Sequence, residues 1–421
     1  MTDSRPLAQS VAPERPSVHL TAAGWAVMLL LVAVAATAWG AGRELQLRGT
    51  TATLEPWRGR IRGLAAHEAA LSDPALIPVL GSSELSHDVR FRPDRLFAGA
   101  PTGFAIYPMG EPGVLLMHHV LEAAALGESL RGRHVLVFVP PNEFAVRRGS
   151  ERQQFFAGNF SRVQVATMLA ERRLPDSLRL DILARLAVYH RALAIDPLIA
   201  AEAQLALPPR SRMTALGSAA LQLPVCVEAA WLRFADRVTA ARDVRAHPRR
   251  ERSSVQVRAP IAWDSLQQVA RAVYLPGASS NRYALPDPYW ARLRGAKDGG
   301  QSAGGLQHVG ERFDRQFNDA PAWEELDLLL RTLAADGALP LLVSLPLPGL
   351  YMDDTGGNAA ARATFHARLR DFAARAGIPM LDFPALDNEP GLLVDLQTHL
   401  SPIGWLAVDA AIDSVMHGDD Y

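Results

Sequence analysis

The chain has 421 residues and a formal net charge of −1. This length allows one large or two ordinary domains with a substantial core, and the near-neutral charge argues against nucleic acid as the main partner, which would require a basic face. The single cysteine, Cys226, excludes an intrachain disulfide and a cysteine-rich metal site.

The N-terminal region combines a polar tail with a long apolar segment. Residues 1–19 contain three prolines and both charge signs, so we predict a disordered tail. Residues 20–42 contain no charged residue and carry Trp25 and Trp39 near their two ends, which predicts one transmembrane helix that anchors the chain. A cleaved signal peptide is the alternative, although the apolar run is longer than a usual signal core. Arginines are more numerous after the segment than before it, and this count alone would place the rest of the chain inside the cell.

Short apolar runs then alternate with helical patterns. We predict strands at 76–81, 95–100, 134–140, 339–345 and 378–383, and helices at 113–128, 323–335, 359–376 and 402–416. Strands that alternate with helices predict right-handed crossovers and a parallel sheet covered on both faces.

The middle of the chain interrupts this alternation. Residues 150 to about 240 show helical patterns rich in Ala, Leu and Arg, residues 244–258 are predicted to be a basic polar linker, and residues 295–305 a flexible loop. We therefore predict one α/β domain whose halves, 70–150 and 321–421, flank a mostly helical insertion at 151–320.

A serine turn follows the first predicted strand. The apolar run 76–81 ends in Gly81, and Ser82, Ser83 and Glu84 come directly after it, which indicates a turn that leads into a helix. Ligands of open parallel sheets bind beyond the carboxyl ends of the strands, so a serine at this turn is a candidate nucleophile. An ordinary helix N-cap explains the same residues.

The segment before the last predicted helix supplies a histidine and an acid. Asp395 and His399 are four residues apart and would meet on one face if the segment forms a helical turn. With a serine in the same crevice they would form a nucleophilic site, in which the histidine takes the hydroxyl proton and the acid fixes its tautomer. Asp382 and Asp387 are rival acids, and an exposed loop with a histidine by chance is the alternative interpretation.

Other motifs do not indicate a site. The pair His118-His119 lies in a helical pattern without a His-Glu-x-x-His arrangement or nearby cysteines, so we interpret it as structural. Position 85 is leucine, so the Gly-x-Ser-x-Gly elbow of α/β-hydrolases is missing, and the sequence contains neither a P-loop nor a Rossmann glycine fingerprint.

The ordered motifs resemble the DltD family, the D-alanine transfer proteins of envelope polymer D-alanylation. The resemblance covers most of the chain and rests on the serine turn after an N-terminal anchor and on His399 with the following Gly404-Trp405. Further similar stretches are Pro140-Pro141-Asn142-Glu143-Phe144, Asp287-Pro288-Tyr289-Trp290, 323–346 and Tyr351-Met352-Asp353.

The resemblance implies a fold and a site. The fold is α/β, an SGNH-hydrolase-like or flavodoxin-like three-layer α/β/α parallel sheet, with Ser83 as nucleophile, His399 as base and Asp395 as orienting acid. The family usually places the acid three residues before the histidine, whereas the separation here is four. The oxyanion candidates are the backbone N–H of Gly113 and Asn142, chosen because they follow strands.

The resemblance also implies a location and partners. The globular domain would lie outside the cytoplasmic membrane, which outweighs the arginine count, and the chain would work with a membrane-bound O-acyltransferase (DltB-like). An acyl carrier protein (DltC-like) would supply the acyl group from its phosphopantetheine, and this chain would bind no cofactor or metal itself. In Gram-positive bacteria the acceptor is teichoic acid. The bias towards arginine and alanine indicates a GC-rich, Gram-negative source, in which another envelope glycan would be the acceptor.

The leading hypothesis is therefore a membrane-anchored serine acyltransferase. Two alternatives use the same sequence: an esterase or thioesterase that removes such acyl groups, and a non-catalytic scaffold for the membrane-bound O-acyltransferase.

Overall fold

The sheet defines the architecture. The computed structural model of the protein describes residues 16–52, 62–87, 89–145, 150–246, 257–295, 313–314, 317, 320–396 and 399–418. Five parallel strands lie in the order β2-β1-β3-β4-β5. Their bounds are β1 Leu76–Leu80, β2 Ala105–Met109, β3 His134–Val139, β4 Leu339–Ser344 and β5 Met380–Asp382. The chain passes from β1 to β2 on one side and later to β3 on the other, so the strand order reverses direction between β1 and β3. Open parallel sheets bind ligands at such a reversal point.

Helices connect and cover the strands. Before β3 they are α1 Pro16–Ala52, α2 Ala65–Leu71, α3 Pro93–Leu96 and α4 Leu116–Leu126. Between β3 and β4 they are α5 Asn142–Ala145, α6 Ser150–Asn159, α7 Arg162–Glu171, α8 Asp176–Leu186, α9 His190–Leu193, α10 Pro197–Leu205, α11 Arg212–Ala246, α12 Trp263–Tyr274, α13 Asp287–Gly295 and α14 Ala322–Ala335. The remaining helices are α15 Gly349–Asp354, α16 Ala359–Ala376 and α17 Pro402–Met416.

The sheet is buried on both faces. Along β3, Val135 and Val137 belong to the apolar core beneath α4, α14 and α16, whereas Leu136 and Phe138 belong to a second core beneath α17 and α12. Successive side chains of a strand point to opposite faces, so a continuous apolar run is what a strand between two helical layers requires. The three-layer α/β class predicted from the sequence is confirmed.

One predicted strand is wrong. Residues 95–100 do not form a strand: Pro93–Leu96 is a short helix, followed by turns, and the strand lies further on at Ala105–Met109. Pro108 within that strand hides it in the sequence, because proline cannot donate to a sheet ladder. The sheet accommodates Pro108 because β2 is an edge strand.

Among the described residues, two helices are long and apolar enough to span a bilayer by length and composition. The first is His19–Arg48, whose most apolar 18-residue stretch has a mean hydropathy of 2.1 and contains no buried residue, which is consistent with single-pass anchoring. The second is α11, with a mean hydropathy of 1.4. Arg233 of α11 pairs with Glu68 and Glu171, so ion pairs bind this helix to the globular domain.

Several predicted boundaries differ from these elements. The helix α1 begins at Pro16, inside the predicted tail, and α11 continues to Ala246, inside the predicted linker. The rest of the tail, residues 1–15, and most of the linker and of the loop 295–305 lie outside the described residues.

Candidate active site

The serine turn lies at the reversal point of the sheet. β1 ends at Leu80, and Ser83 begins a short 3₁₀ turn, Ser83–Leu85, at the carboxyl end of this strand. The neighbouring β3 ends at Val139, so Ser83 stands beside the crevice in which such sheets bind ligands.

Hydrogen bonds distinguish the two serines. The Ser82 N–H donates to Glu84 Oε1 at 2.6 Å, and the Ser82 hydroxyl donates to the Val114 carbonyl at 3.0 Å. Burial raises the pKa of the Glu84 carboxyl above its ordinary value, against the opposing effect of the hydrogen bond from Ser82. Ser82 therefore stabilises the turn, whereas the Ser83 hydroxyl contacts His399.

Gly81 is required by the tightness of the turn. A Cβ atom at this position would lie 2.5 Å from Glu84 Oε1 and 2.7 Å from Leu85 Cδ1, distances that real Cβ atoms do not adopt. The space beside Gly81 is therefore filled by the two residues that fold back under the turn.

A second loop brings the histidine and the acid to the same place. Leu393 and Leu400 form an antiparallel bridge, and the Val394 N–H donates to the His399 carbonyl at 2.9 Å. Asp395 and His399 therefore meet inside the loop that this bridge closes. The sequence argument depended on a helical turn, and the described residues 394–396 form bends and a turn. Residues 397–398 of this loop are outside the described residues.

The three predicted side chains form one hydrogen-bonded chain. Ser83 Oγ lies 2.7 Å from His399 Nε2, and His399 Nδ1 lies 2.6 Å from Asp395 Oδ2. His399 and Asp395 are 4% and 9% exposed, whereas Ser83 is half-buried. The acid and base are thus shielded, and the hydroxyl remains within reach of solvent and substrate.

The helices before β4 support the histidine loop. The Tyr274 hydroxyl of α12 donates to the Leu393 carbonyl at 2.9 Å, and the Leu396 N–H donates to the Tyr289 hydroxyl of α13 at 3.3 Å. Gln267 of α12 donates to the carbonyl of Ile403 at the start of α17. The inserted helices therefore fix the position of His399 from outside the sheet.

A buried chain of polar groups lies behind the serine turn. His119 Nε2 donates to the Gly81 carbonyl at 2.7 Å, and its Nδ1 lies 3.0 Å from Glu122 Oε2. The other Glu122 oxygen is 3.1 Å from His67 Nε2, and His67 Nδ1 is 2.8 Å from the Tyr107 hydroxyl. Burial alone lowers the pKa of His119, but the hydrogen bond and charge of Glu122 raise it above its ordinary value. The sequence identified His119 as structural but gave no signal of its contact with the turn.

The rival acids serve another histidine. His366 Nδ1 lies 2.6 Å from Asp382 and its Nε2 lies 2.9 Å from Asp387, and these two carboxylates raise the pKa of His366 to about 9 against the effect of burial. Asp387 also accepts the Leu347 N–H at 2.8 Å. Asp395 is therefore the predicted acid that reaches His399.

The two oxyanion candidates, Gly113 and Asn142, lie after β2 and β3. Gly113 lies in the loop between β2 and α4 with a φ of 82°, next to the carbonyl that Ser82 binds. Asn142 begins α5 after β3, and its side chain is outside the described residues. The adjacent Glu143 accepts the Leu116 N–H at 2.7 Å, and burial raises its pKa to about 7. The oxyanion roles of Gly113 and Asn142 stay predictions.

One further side chain lies against the triad. His87 shares a cluster of possible metal-ligating groups with Asp395 and His399, whose nearest ligand atoms are within 4.8 Å of one another. Both nitrogens of His399 are engaged in this structure, Nε2 by Ser83 and Nδ1 by Asp395.

The fold and the site together define a class: a parallel α/β protein with a serine, a histidine and an acid hydrogen-bonded at the carboxyl edge of its sheet. Residues 58–417 match the model of the DltD protein family. The chain therefore belongs to the DltD family, which supports a D-alanylation-related function in the cell envelope.

Curated relatives agree with this assignment. The chain is 25% identical over 354 residues to Protein DltD of Bacillus subtilis (strain 168), an alignment that covers 84% of this chain and 85% of the relative. It is 22% identical over 360 residues to Protein DltD of Staphylococcus aureus (strain NCTC 8325 / PS 47), with 85% of each chain covered.

Proposed function

We propose that the protein is a membrane-anchored, extracytoplasmic serine acyltransferase that transfers D-alanyl or similar acyl groups to a hydroxyl of a cell-envelope glycopolymer. The observation that carries the proposal is the hydrogen-bonded chain from Ser83 through His399 to Asp395. Family membership and the apolar helix His19–Arg48 support the acyl group and the membrane location.

The geometry supplies the groups that acyl transfer needs. With Asp395 ionised, His399 Nδ1 donates to it, which leaves Nε2 to accept the Ser83 hydroxyl. Ser83 Oγ attacks the acyl carbonyl of the donor while its proton passes to Nε2. The tetrahedral intermediate then expels the donor oxygen or sulfur, which takes that proton from His399 and leaves an ester on Ser83.

The second half-reaction uses the same groups in reverse. A glycopolymer hydroxyl attacks the acyl-Ser83 ester, His399 takes the hydroxyl proton, and the departing Ser83 oxygen recovers it. We assign Asn142 and the Gly113 N–H to the oxyanion in both steps.

The proposed partners follow from this sequence of reactions. A membrane-bound O-acyltransferase (DltB-like) would deliver acyl groups that an acyl carrier protein (DltC-like) carried as thioesters on phosphopantetheine. The chain itself would then need no bound cofactor, because serine holds the acyl group between the two steps.

A labelling experiment tests the nucleophile. The full chain, purified in detergent, is treated with a fluorophosphonate, which reacts with activated serines. We expect one adduct on Ser83, none in the Ser83→Ala and His399→Ala variants, and an adduct still on Ser83 in Ser82→Ala. An unmodified Ser83 in the wild-type chain would contradict the proposal.

Envelope D-alanine content separates the alternative functions. Deletion should lower this content for a transferase and raise it for an esterase or thioesterase with the same residues. If Ser83→Ala and His399→Ala leave the content unchanged while deletion of residues 20–42 reduces it, the protein acts as a scaffold and not as an enzyme.

A further inference from the structure

The ring of His87 lies against the ring of His399. The two centroids are 3.8 Å apart and the rings are inclined by 28°, a stacked arrangement. His87 is half-buried and follows Ser83 by four residues, just beyond the 3₁₀ turn. Neither the sequence motifs nor the family resemblance singled out this residue.

The backbone that carries His87 is held from behind. Arg92 Nη1 donates to the His87 carbonyl at 2.9 Å, and the Val89 N–H donates to the same oxygen at 2.9 Å. Arg92 is 3% exposed and makes two hydrogen bonds to the Asp94 carboxylate. The buried, paired Arg92 therefore anchors the backbone of His87 beside the site.

The stacked ring of His87 restrains the His399 ring in a direction in which its two hydrogen bonds do not. His399 makes one hydrogen bond at Nδ1 and one at Nε2, and the N–H and the lone pair of an imidazole point outward in the plane of the ring. They fix the ring within its plane but oppose a tilt about the axis through the two nitrogens only weakly. A flat group against one face of the ring blocks that tilt.

We propose that His87 is a positioning residue of the Ser83–His399–Asp395 site, which keeps the His399 ring in the plane of its two hydrogen bonds and remains uncharged while His399 takes up the serine proton. This inference rests on the proposed acyl-transfer function, because it assigns His87 a role in the same reaction.

The electrostatic surroundings favour an uncharged His87. Burial lowers the pKa of His87, and the adjacent His399 and Arg92 lower it further, against the opposing effect of Asp395. His399 and Asp395 face His87 from the loop before α17, and Arg92 faces it from its own segment. A positive charge at position 87 would repel the imidazolium that His399 becomes during acylation, so a neutral ring is the form that permits the reaction.

The test separates stacking from charge. The rate of fluorophosphonate labelling of Ser83 is measured on the full chain in detergent between about pH 5 and pH 8, across the range in which histidines titrate. The variants are His87→Phe, which keeps a flat neutral ring, His87→Ala, which removes it, and His87→Arg, which adds a permanent charge. His190→Ala is the matched control, because His190 is an exposed histidine on α9.

We expect His87→Phe and His190→Ala to label within about twofold of wild type and His87→Ala to label roughly fivefold to tenfold more slowly, the scale of one aromatic contact. His87→Arg should label more slowly still across this pH range, because its permanent charge opposes the positive charge that forms on His399. Recovery of the rate by the flat neutral ring of His87→Phe, together with its loss in His87→Arg, is a readout that a merely structural role of His87 would not produce.

Three results would overturn the inference: wild-type rates in His87→Ala, equal losses in His87→Phe and His87→Ala, or a His87→Arg rate equal to that of His87→Phe. The comparison of His87→Arg with His87→Phe remains informative if His87→Ala does not fold. Failure of the proposed function is a different result, because wild-type Ser83 would then not be labelled at all.

Discussion

Replacement of Asp395 by asparagine should slow acylation of Ser83 by on the order of 10³- to 10⁴-fold, the effect of a wrong histidine tautomer in a serine triad. In the structure Asp395 Oδ2 lies 2.6 Å from His399 Nδ1, and Oδ1 lies 3.4 Å from the His399 N–H. An asparagine oxygen that keeps the backbone contact turns the amide nitrogen towards Nδ1. His399 then carries its proton on Nε2, where it faces Ser83 and cannot accept the hydroxyl proton.

The magnitude and the control follow from the same contacts. A loss of 10³- to 10⁴-fold corresponds to about 4–5.5 kcal/mol of transition-state stabilisation. The assay is the rate of fluorophosphonate labelling at neutral pH, with Asp382→Asn as matched control, because Asp382 bonds to His366 and not to His399. Labelling of Asp395→Asn within about tenfold of the wild-type rate would refute the assignment of the acid.

Four further substitutions test the supporting structure. His119→Leu leaves the buried Gly81 carbonyl without its hydrogen-bond donor, so thermal unfolding should show a stability lower by about 1–3 kcal/mol, and Ser83 should be labelled more slowly. If both values are unchanged, His119 does not stabilise the turn. Gly81→Ala places a Cβ 2.5 Å from a Glu84 oxygen and should cost about 1–3 kcal/mol by the same measurement, and wild-type stability would show that the turn can relax. His366 has a pKa raised from 6.5 to about 9, so its stabilising effect is complete below about pH 6.5 and is lost as pH rises through 9; urea midpoints of the wild type should fall over that range, and His366→Gln should lack this decrease. Asp409 is fully buried, and its carboxylate has no hydrogen-bond partner among the described residues. Because burial raises the pKa of Asp409, Asp409→Asn should stabilise the chain more at pH 8 than at pH 5. An equal gain in stability at both pH values would contradict the raised pKa.

The sequence predicted the elements whose patterns are decided locally. The helices α16 and α17 were predicted with their observed bounds, because Asn358 caps the first and Ser401 with Pro402 begins the second. The strand β2 was missed because Pro108 interrupts its strand pattern, and the sequence does not show that the strand lies at the sheet edge, where a proline is tolerated.

The residues of the candidate site also divide into those that the sequence predicted and those that it did not. The serine turn and the pair Asp395 and His399 were predicted from short motifs at the ends of elements, and the family resemblance selected Ser83 over Ser82. His87, Glu84 and His119 were not, since their contacts with the site depend on how separate segments pack. His119 lies on α4 and reaches a carbonyl that precedes it by 38 residues, so its helical pattern could indicate only that it was buried.

The contact of α1 with the globular domain has a geometric consequence. Ala41 and Leu45 of α1 pack on Ala240, Ala241 and Val244 of α11, so the helix that carries the apolar segment is held directly against the domain. If the apolar segment spans a membrane as proposed, this contact would fix the distance and the orientation of the domain relative to that membrane. Each residue inserted into α1 before this contact would then shift the domain by about 1.5 Å along the helix axis and rotate it by about 100° around that axis. The reach of the site towards the membrane and its direction would thus both depend on the length of one helix.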